Sequence, residues 1–199
     1  MKKALLLTLM IAGGVTASFA QVGFGVKAGY NLATVHADEG NNPVTWNGQS
    51  SFHAGILVNF PIILGLSVQP EVVYSGEGGK FNDDGDDGNL KNGLVNVPVM
   101  VKYKLHGFFV ETGPQFGFLV SSKATVDGQT QDEKSSFKST QMDWCAGLGY
   151  KLPIGLGIDV RYNFALSNMA KSGSDFDEFA GNAKNGVLQV GLFFQIGGK

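Results

Sequence analysis

The chain has 199 residues, which suits a single domain, and charged residues make up only 16% of it, against about 25% in an ordinary soluble domain. Its 15 basic and 17 acidic residues give a net charge of −2, so the composition argues against a nucleic-acid-binding protein, which needs a basic face. The single cysteine, Cys145, excludes a scaffold held together by intramolecular disulfides.

The N-terminus has the organisation of a secretory signal peptide. Two lysines after Met1 precede an apolar stretch from Ala4 to about Val15, and Ser18-Phe19-Ala20 supplies the small residues that signal peptidase requires. We therefore predict a signal peptide over 1–20, cleavage between Ala20 and Gln21, and an outer-membrane β-barrel domain over 21–199. The alternative, a membrane anchor, is disfavoured because the apolar stretch is too short to span a bilayer.

Beyond residue 21 no run of about 18 apolar residues predicts a transmembrane helix, but a closed barrel can also cross a membrane. Apolar and polar residues alternate in eight segments of about ten residues, the length of a tilted membrane strand. In the seventh segment, from Leu156 to Ser167, every even position is apolar and every odd position is polar or small. The other segments lie near residues 23–34, 51–60, 64–76, 95–104, 108–120, 141–151 and 188–196.

Two features indicate that the apolar face points toward lipid, as in a membrane barrel, rather than toward a soluble core. All five tyrosines and Trp144 fall on the apolar face, mostly near segment ends, where interfacial aromatic residues belong. Tight connections at 61–63, 105–107 and 152–155 alternate with long polar loops at about 35–50, 77–91, 122–138 and 168–185. The sequence therefore predicts an all-β, eight-stranded, antiparallel, up-and-down transmembrane barrel with periplasmic turns and extracellular loops.

Three prolines, Pro70, Pro98 and Pro114, interrupt predicted strands. Proline has no N–H group to donate to the ladder, so we expect a β-bulge at each of them.

Six motifs resemble the PorT-like outer-membrane β-barrel family and occur in the same order over nearly the whole exported part. They are VKAGYNLATV, VPVMVKYKL, ETGPQFGFLVSSK, CAGLGYKLP, DVRYNFALSNMAK and NGVLQVGLFFQI. The resemblance implies an eight-stranded outer-membrane barrel without a catalytic signature, and some relatives are linked to protein secretion. The chain departs from the family pattern in ending on Gly-Gly-Lys, so Phe194 or Ile196 must be the outward residue of the closing strand.

An eight-stranded barrel encloses a space just wide enough for side chains to fill. The predicted lumen face carries three basic and three acidic residues at similar depth, a little below the middle, and we expect them to form an ion-pair network. A proton or ion path is the functional alternative. The six residues are Lys27, Glu71, Lys102, Glu111, Asp159 and Arg161.

The second predicted loop is strongly acidic, with Asp83, Asp84, Asp86 and Asp87 separated by glycine. It is a candidate cation-binding loop because calcium prefers oxygen ligands. The spacing only loosely resembles an EF-hand and no bidentate glutamate follows, so a solvated acidic loop is the favoured interpretation. The identity of any metal stays open.

These features favour a non-enzymatic surface or envelope protein whose loops bind a partner, with a transport or secretion accessory as the second hypothesis and an outer-membrane enzyme as the third. His36 is the only histidine in a predicted extracellular loop, and no nucleophile is spaced to use it. We expect no cofactor and no nucleic-acid partner. The expected partners are outer-membrane lipid and lipopolysaccharide, and an extracellular or secretion-system protein bound through the loops.

Overall fold

The computed structural model describes residues 22–39, 42–83, 86–126, 129–132, 139–167 and 184–198. Within these ranges, the side chains of residues 35–39, 42–48, 80–88, 90, 126, 129–132 and 184–185 lie outside the description. The signal-peptide prediction, including cleavage between Ala20 and Gln21, also lies outside the described residues. No helix among the described residues is long and apolar enough to cross a membrane.

The described residues form nine strands, eight of which close into a barrel. The strands are β1 (Gly23–Glu39), β2 (Asn42–Ile63), β3 (Leu66–Asp83), β4 (Asp86–Leu105), β5 (Phe108–Val126), β6 (Gln129–Asp132), β7 (Thr140–Lys151), β8 (Leu156–Ala165) and β9 (Lys184–Ile196). The order around the barrel is β4-β3-β2-β1-β9-β8-β7-β5, and pairing of β4 with β5 closes it. Every pairing is antiparallel, and β6 pairs only with the outer end of β5. The predicted eight-stranded barrel is confirmed.

The barrel places its apolar face outward. Along β8, exposed and buried residues alternate without interruption until the last residue, with Ile158 exposed and Asp159 buried. Both candidate residues of the closing strand point outward, Phe194 at 44% exposure and Ile196 at 69%. A soluble barrel with these faces would expose a continuous apolar belt to water, whereas a membrane barrel turns that belt toward lipid.

Three short turns connect strands at one end of the barrel, which is the periplasmic end in this class of protein. Leu64-Gly65 joins β2 to β3 and His106-Gly107 joins β4 to β5, and all four residues have positive φ angles. Two such residues form the tight turn that matches the twist of a β-hairpin. The sequence predicts the β2–β3 turn at 61–63. It lies instead at Leu64-Gly65, because β2 stays paired through Ile63.

The predicted proline bulges are wrong. The strand registers are the same on both sides of Pro70, Pro98 and Pro114. Register shifts occur elsewhere, between Ala33 and Val35, Gly48 and His53, Pro61 and Ile63, and Gly93 and Leu94. Pro70 and Pro114 point outward and Pro98 inward, so the alternation of faces survives each missing N–H group.

At the other end of the barrel, the predicted loops at 35–50 and 77–91 are mostly paired strand. β1 and β2 remain paired up to Glu39 and Asn42, and β3 and β4 up to Asp83 and Asp86. Strands β1 to β5 contain 17 to 22 residues, about twice the 9–11 that a tilted strand needs to cross a bilayer. The surplus residues extend the barrel wall as hairpins on the extracellular side.

Candidate functional site

The lumen contains a cluster of charged side chains contributed by five of the eight barrel strands. β1 supplies Lys27, β3 Glu71, β4 Lys102, β5 Glu111, and β8 both Asp159 and Arg161. On its own strand, each of these residues occupies one of the alternate positions that form the polar face. Strand alternation alone therefore directs its side chain inward. All six are buried, with exposures of 2% to 6%. The structure thus brings together every residue of the predicted ion-pair network.

Arg161 is the centre of this luminal cluster. Its Nη1 and Nη2 atoms donate to the two carboxylate oxygens of Glu71 at 2.8 and 2.7 Å, a bidentate pair, and its Nε atom donates to Glu111 at 2.6 Å. The planar guanidinium suits this arrangement, since its fixed N–H groups match two carboxylates at once. Asp159 lies 3.6 Å from the same guanidinium.

The two lysines complete the luminal cluster on either side of Arg161. Lys27 Nζ lies 2.8 Å from Asp159 and 3.5 Å from Glu71. Lys102 Nζ lies 3.3 Å from Glu111 and donates to Gln69 Oε1 at 3.1 Å. Three positive and three negative charges balance, and such mutual pairing is what makes buried charges tolerable.

A compact apolar layer lies on the periplasmic side of the luminal cluster. Leu57, Phe109 and Phe193 are buried together, and the rings of Phe109 and Phe193 meet edge to face at 5.9 Å. Lys102 Nζ lies 3.9 Å from the centre of the Phe109 ring, a cation–π distance. Phe109 and Lys102 both line the cavity at the periplasmic mouth, so the layer fills the lumen beside that mouth while Lys102 still borders it.

Sequence reasoning missed His53, which is 1% exposed and lies on the extracellular side of the luminal cluster. Its Nδ1 atom is 2.7 Å from Asn31 Oδ1, and Gln189 Nε2 donates to the same oxygen at 3.1 Å. Gly29 and Gly191 make room for the ring, because a Cβ atom on either would come within 3.0 Å of it. The signal was available: His53 shares strand parity with the inward residues Leu57 and Asn59.

Further toward the extracellular side, the lumen is lined by carboxylates and amides. Glu77 accepts from Asn96 Nδ2 at 3.0 Å and Asp143 accepts from Gln115 Nε2 at 2.8 Å. Cys145 is fully buried, and its Sγ atom is 3.5 Å from Gln115 Oε1. The thiol therefore packs as a small luminal side chain, away from solvent.

The acidic hairpin tip is described only in its backbone. Asp83 faces Asp86 and Asn82 faces Asp87 across the β3–β4 hairpin, while Asp84 lies outside the described residues. Among the described part of the chain, no group of three or more His, Cys, Asp or Glu side chains is arranged to hold a metal ion. His36 pairs with Thr45 in the β1–β2 hairpin, and its side chain is among those not described.

The sequence profile of the family described as outer membrane protein beta-barrel domain matches residues 18–171. The chain belongs to this family. No curated protein matches it at a significant level.

Solved structures of small outer-membrane barrels are similar to this chain in fold. The attachment invasion locus protein of Yersinia pestis, Ail, has 15% identity and a TM-score of 0.53, with 88% of this chain and 99% of that chain covered. Ail in complex with the heparin analogue sucrose octasulfate has 14% identity and a TM-score of 0.50, covering 88% and 99%. Neisserial surface protein A has 13% identity and a TM-score of 0.52, covering 86% and 96%. At these identities the likeness supports the fold alone.

Proposed function

We propose that the protein is a non-enzymatic envelope barrel of a Gram-negative outer membrane, which it reaches through a cleaved signal peptide, and that its extracellular hairpins bind a protein partner. The observation that carries this proposal is the combination of a filled lumen with an extended wall. The luminal cluster and the layer of Leu57, Phe109 and Phe193 occupy the barrel interior, while β1 to β5 continue well past the length of a membrane span. Rigid scaffolds with projecting segments are typical of binding proteins.

The charge of the hairpins bears on the kind of partner. Asp38 and Glu39 end β1, and the β3–β4 tip carries four aspartates. A polyanion such as the heparin analogue bound by Ail would be repelled by these groups, so we do not extend that ligand to this chain. A partner with a neutral or basic surface fits the hairpins better, and lipopolysaccharide would approach them through bridging divalent cations.

The binding role is tested by shortening the β1–β2 hairpin. Val35 and Trp46 are cross-strand partners, so residues 36–45 can be replaced by Asn-Gly without changing the register below. A photo-reactive residue at Thr45 should cross-link a protein in intact cells, whereas the same residue at the lipid-facing Ile158 should not. A photo-reactive residue at Ser50, below the deletion, should cross-link the same protein when the hairpin is intact. It should lose that cross-link when the hairpin is shortened. Equal cross-linking at Ile158, or none from the hairpin, would contradict the proposal.

The second candidate is a transport or secretion accessory, which the motifs similar to the PorT-like family favour. A planar bilayer distinguishes transport from binding. We expect no steady conductance from the intact barrel, because the buried ion pairs and the apolar layer block the lumen. A stable channel would instead favour transport, and a cross-linked partner that belongs to a secretion complex would favour the accessory role.

Loss of a hydrolytic activity on His36→Ala would overturn the non-enzymatic assignment.

A further inference from the structure

The periplasmic mouth of the barrel combines an inner cavity with an outer groove. The inner cavity, of about 230 Å³, is bordered by Lys102, Lys104 and Lys151 and by the apolar stretch from Pro61 to Leu64. The outer groove, of about 710 Å³, runs over Tyr150, Ile154 and Phe194. Lys104 and Lys151 border both, so these two residues lie between the inner cavity and the outer groove.

Among the described residues, this mouth carries positive charge without an acidic side chain to balance it. Neither cavity has an aspartate or glutamate among its lining residues. Lys102 is paired with Glu111, but Lys104 and Lys151 make no ion pair or hydrogen bond through their side chains with the described residues. Two close positive charges at a half-buried site repel each other, and a bound anion would relieve that repulsion.

The depth of the two lysines matches the lipid headgroups. Each directly follows an outward-facing tyrosine, Tyr103 or Tyr150, and tyrosine rings occupy the boundary between acyl chains and headgroups. Tyr150 also packs edge to face on Phe108 at 4.7 Å, which fixes its ring at this level. A phosphate in the cavity that both lysines line would therefore lie at the depth of the headgroups.

The outer groove is apolar enough for acyl chains. Ile196 is 69% exposed and Phe194 is 44% exposed on the outward face of β9, and Tyr150 lies beside them. A free anion would use the lysines and leave this surface uncovered. An amphiphile uses both, with its anionic headgroup on the lysines and its chains along the groove.

We propose that Lys104 and Lys151 bind the phosphate of an anionic phospholipid from the periplasmic leaflet, with its acyl chains lying over Tyr150 and Phe194. The site is separate from the extracellular hairpins, so it does not depend on the proposed partner-binding role. It gives the barrel a specific lipid contact at the end where its strands are joined by the shortest turns.

The test uses the purified protein in non-ionic detergent with phosphatidylglycerol as the probe and native mass spectrometry as the measurement. We expect one retained lipid per barrel. Lys104→Gln combined with Lys151→Gln should lower the retained fraction by about tenfold, as expected for loss of charge-assisted hydrogen bonds. The matched control is Lys91→Gln with Lys123→Gln, which removes two charges from exposed cross-strand partners at the extracellular end and should leave retention unchanged.

Two further arms identify the source of the anion. Phe194→Ser should weaken retention of phosphatidylglycerol, and millimolar inorganic phosphate should fail to displace the lipid. Displacement by inorganic phosphate, or full retention by Phe194→Ser, would assign the site to a free anion and overturn the lipid proposal. Equal loss in the Lys91 and Lys123 control would overturn it by showing that only net charge matters. A heat-dependent gel shift of every variant establishes that each one is folded.

Discussion

At the scale of single residues, the luminal cluster depends on Arg161 having two carboxylate partners at once. Glu71 contributes two hydrogen bonds to the guanidinium and also lies 3.5 Å from Lys27. Gln69 Nε2 donates to Glu71 at 2.7 Å, which orients the carboxylate. Removing Glu71 therefore leaves an excess of buried positive charge inside the barrel.

We expect Glu71→Leu to lower the free energy of unfolding by about 3–5 kcal/mol, the usual cost of removing one partner from a buried ion pair. The melting temperature of the barrel in detergent should fall accordingly. Asn163→Leu is the matched control, because Asn163 is also buried in the lumen and neither polar atom of its side chain has a hydrogen-bond partner among the described residues. A fall in the control as large as in Glu71→Leu, or no fall in Glu71→Leu, would argue against a network centred on Arg161.

The six charged residues could be predicted because strand alternation is a local property. Once a strand is recognised, each side chain is assigned to the lumen or the lipid by counting in twos. Counting residues from the periplasmic turns predicts the depth of each side chain in the barrel, and it places Glu71 and Arg161 at the same depth. His53 has the inward parity too, but Asn31 and Gln189, which complete its hydrogen-bonded group, lie on β1 and β9, so strand alternation gives no sign of its role.

At the scale of elements, turns and hairpins differ most from what the sequence indicates. The acidic, glycine-rich stretches around Asp83 and Glu39 have low β-propensity and look like loops. In the structure they stay paired, because each hairpin continues the hydrogen-bond ladder of the strands below it. The amino-acid composition of a segment does not indicate whether a neighbouring strand will hold it in the sheet.

The β4–β5 turn offers a prediction at this scale. His106 has a φ of 50° and precedes Gly107, whereas asparagine before glycine is the preferred pair for such a turn. We expect His106→Asn to raise the free energy of unfolding by about 0.5–1 kcal/mol, because asparagine tolerates the left-handed region better than histidine. Urea unfolding from lipid vesicles measures the difference.

His106→Ala is the control for this turn. It also removes the imidazole, but alanine has no side-chain hydrogen bond to favour the left-handed conformation. Stability should therefore stay level or fall. Equal stabilisation by asparagine and alanine would show that loss of the imidazole, rather than turn geometry, is responsible.

At the scale of the whole molecule, closure is what allows polar backbone to cross a bilayer. β4 pairs with β5 along the full height of the barrel, from Gly88 with Val126 to Leu105 with Phe108, so the described barrel has no open edge between them. Eight segments with one apolar face predicted this closed architecture. The sequence could not show how far the wall rises above the membrane, since that depends on pairing between distant strands.

Closure makes Cys145 a reporter of the folded state. The thiol is fully buried in the lumen and is the only one in the chain, so a maleimide should fail to label it while the barrel is intact. In dodecyl sulfate without heating, we expect a compact, unlabelled band. Boiling should break the ladder all around the barrel, shift the band to the mobility of the unfolded chain and allow full labelling. The two changes should occur over the same temperature range, because opening one strand pair of a closed barrel exposes the lumen. Labelling well below the temperature of the gel shift would show that the lumen is open to solvent in the folded barrel and would contradict a filled interior.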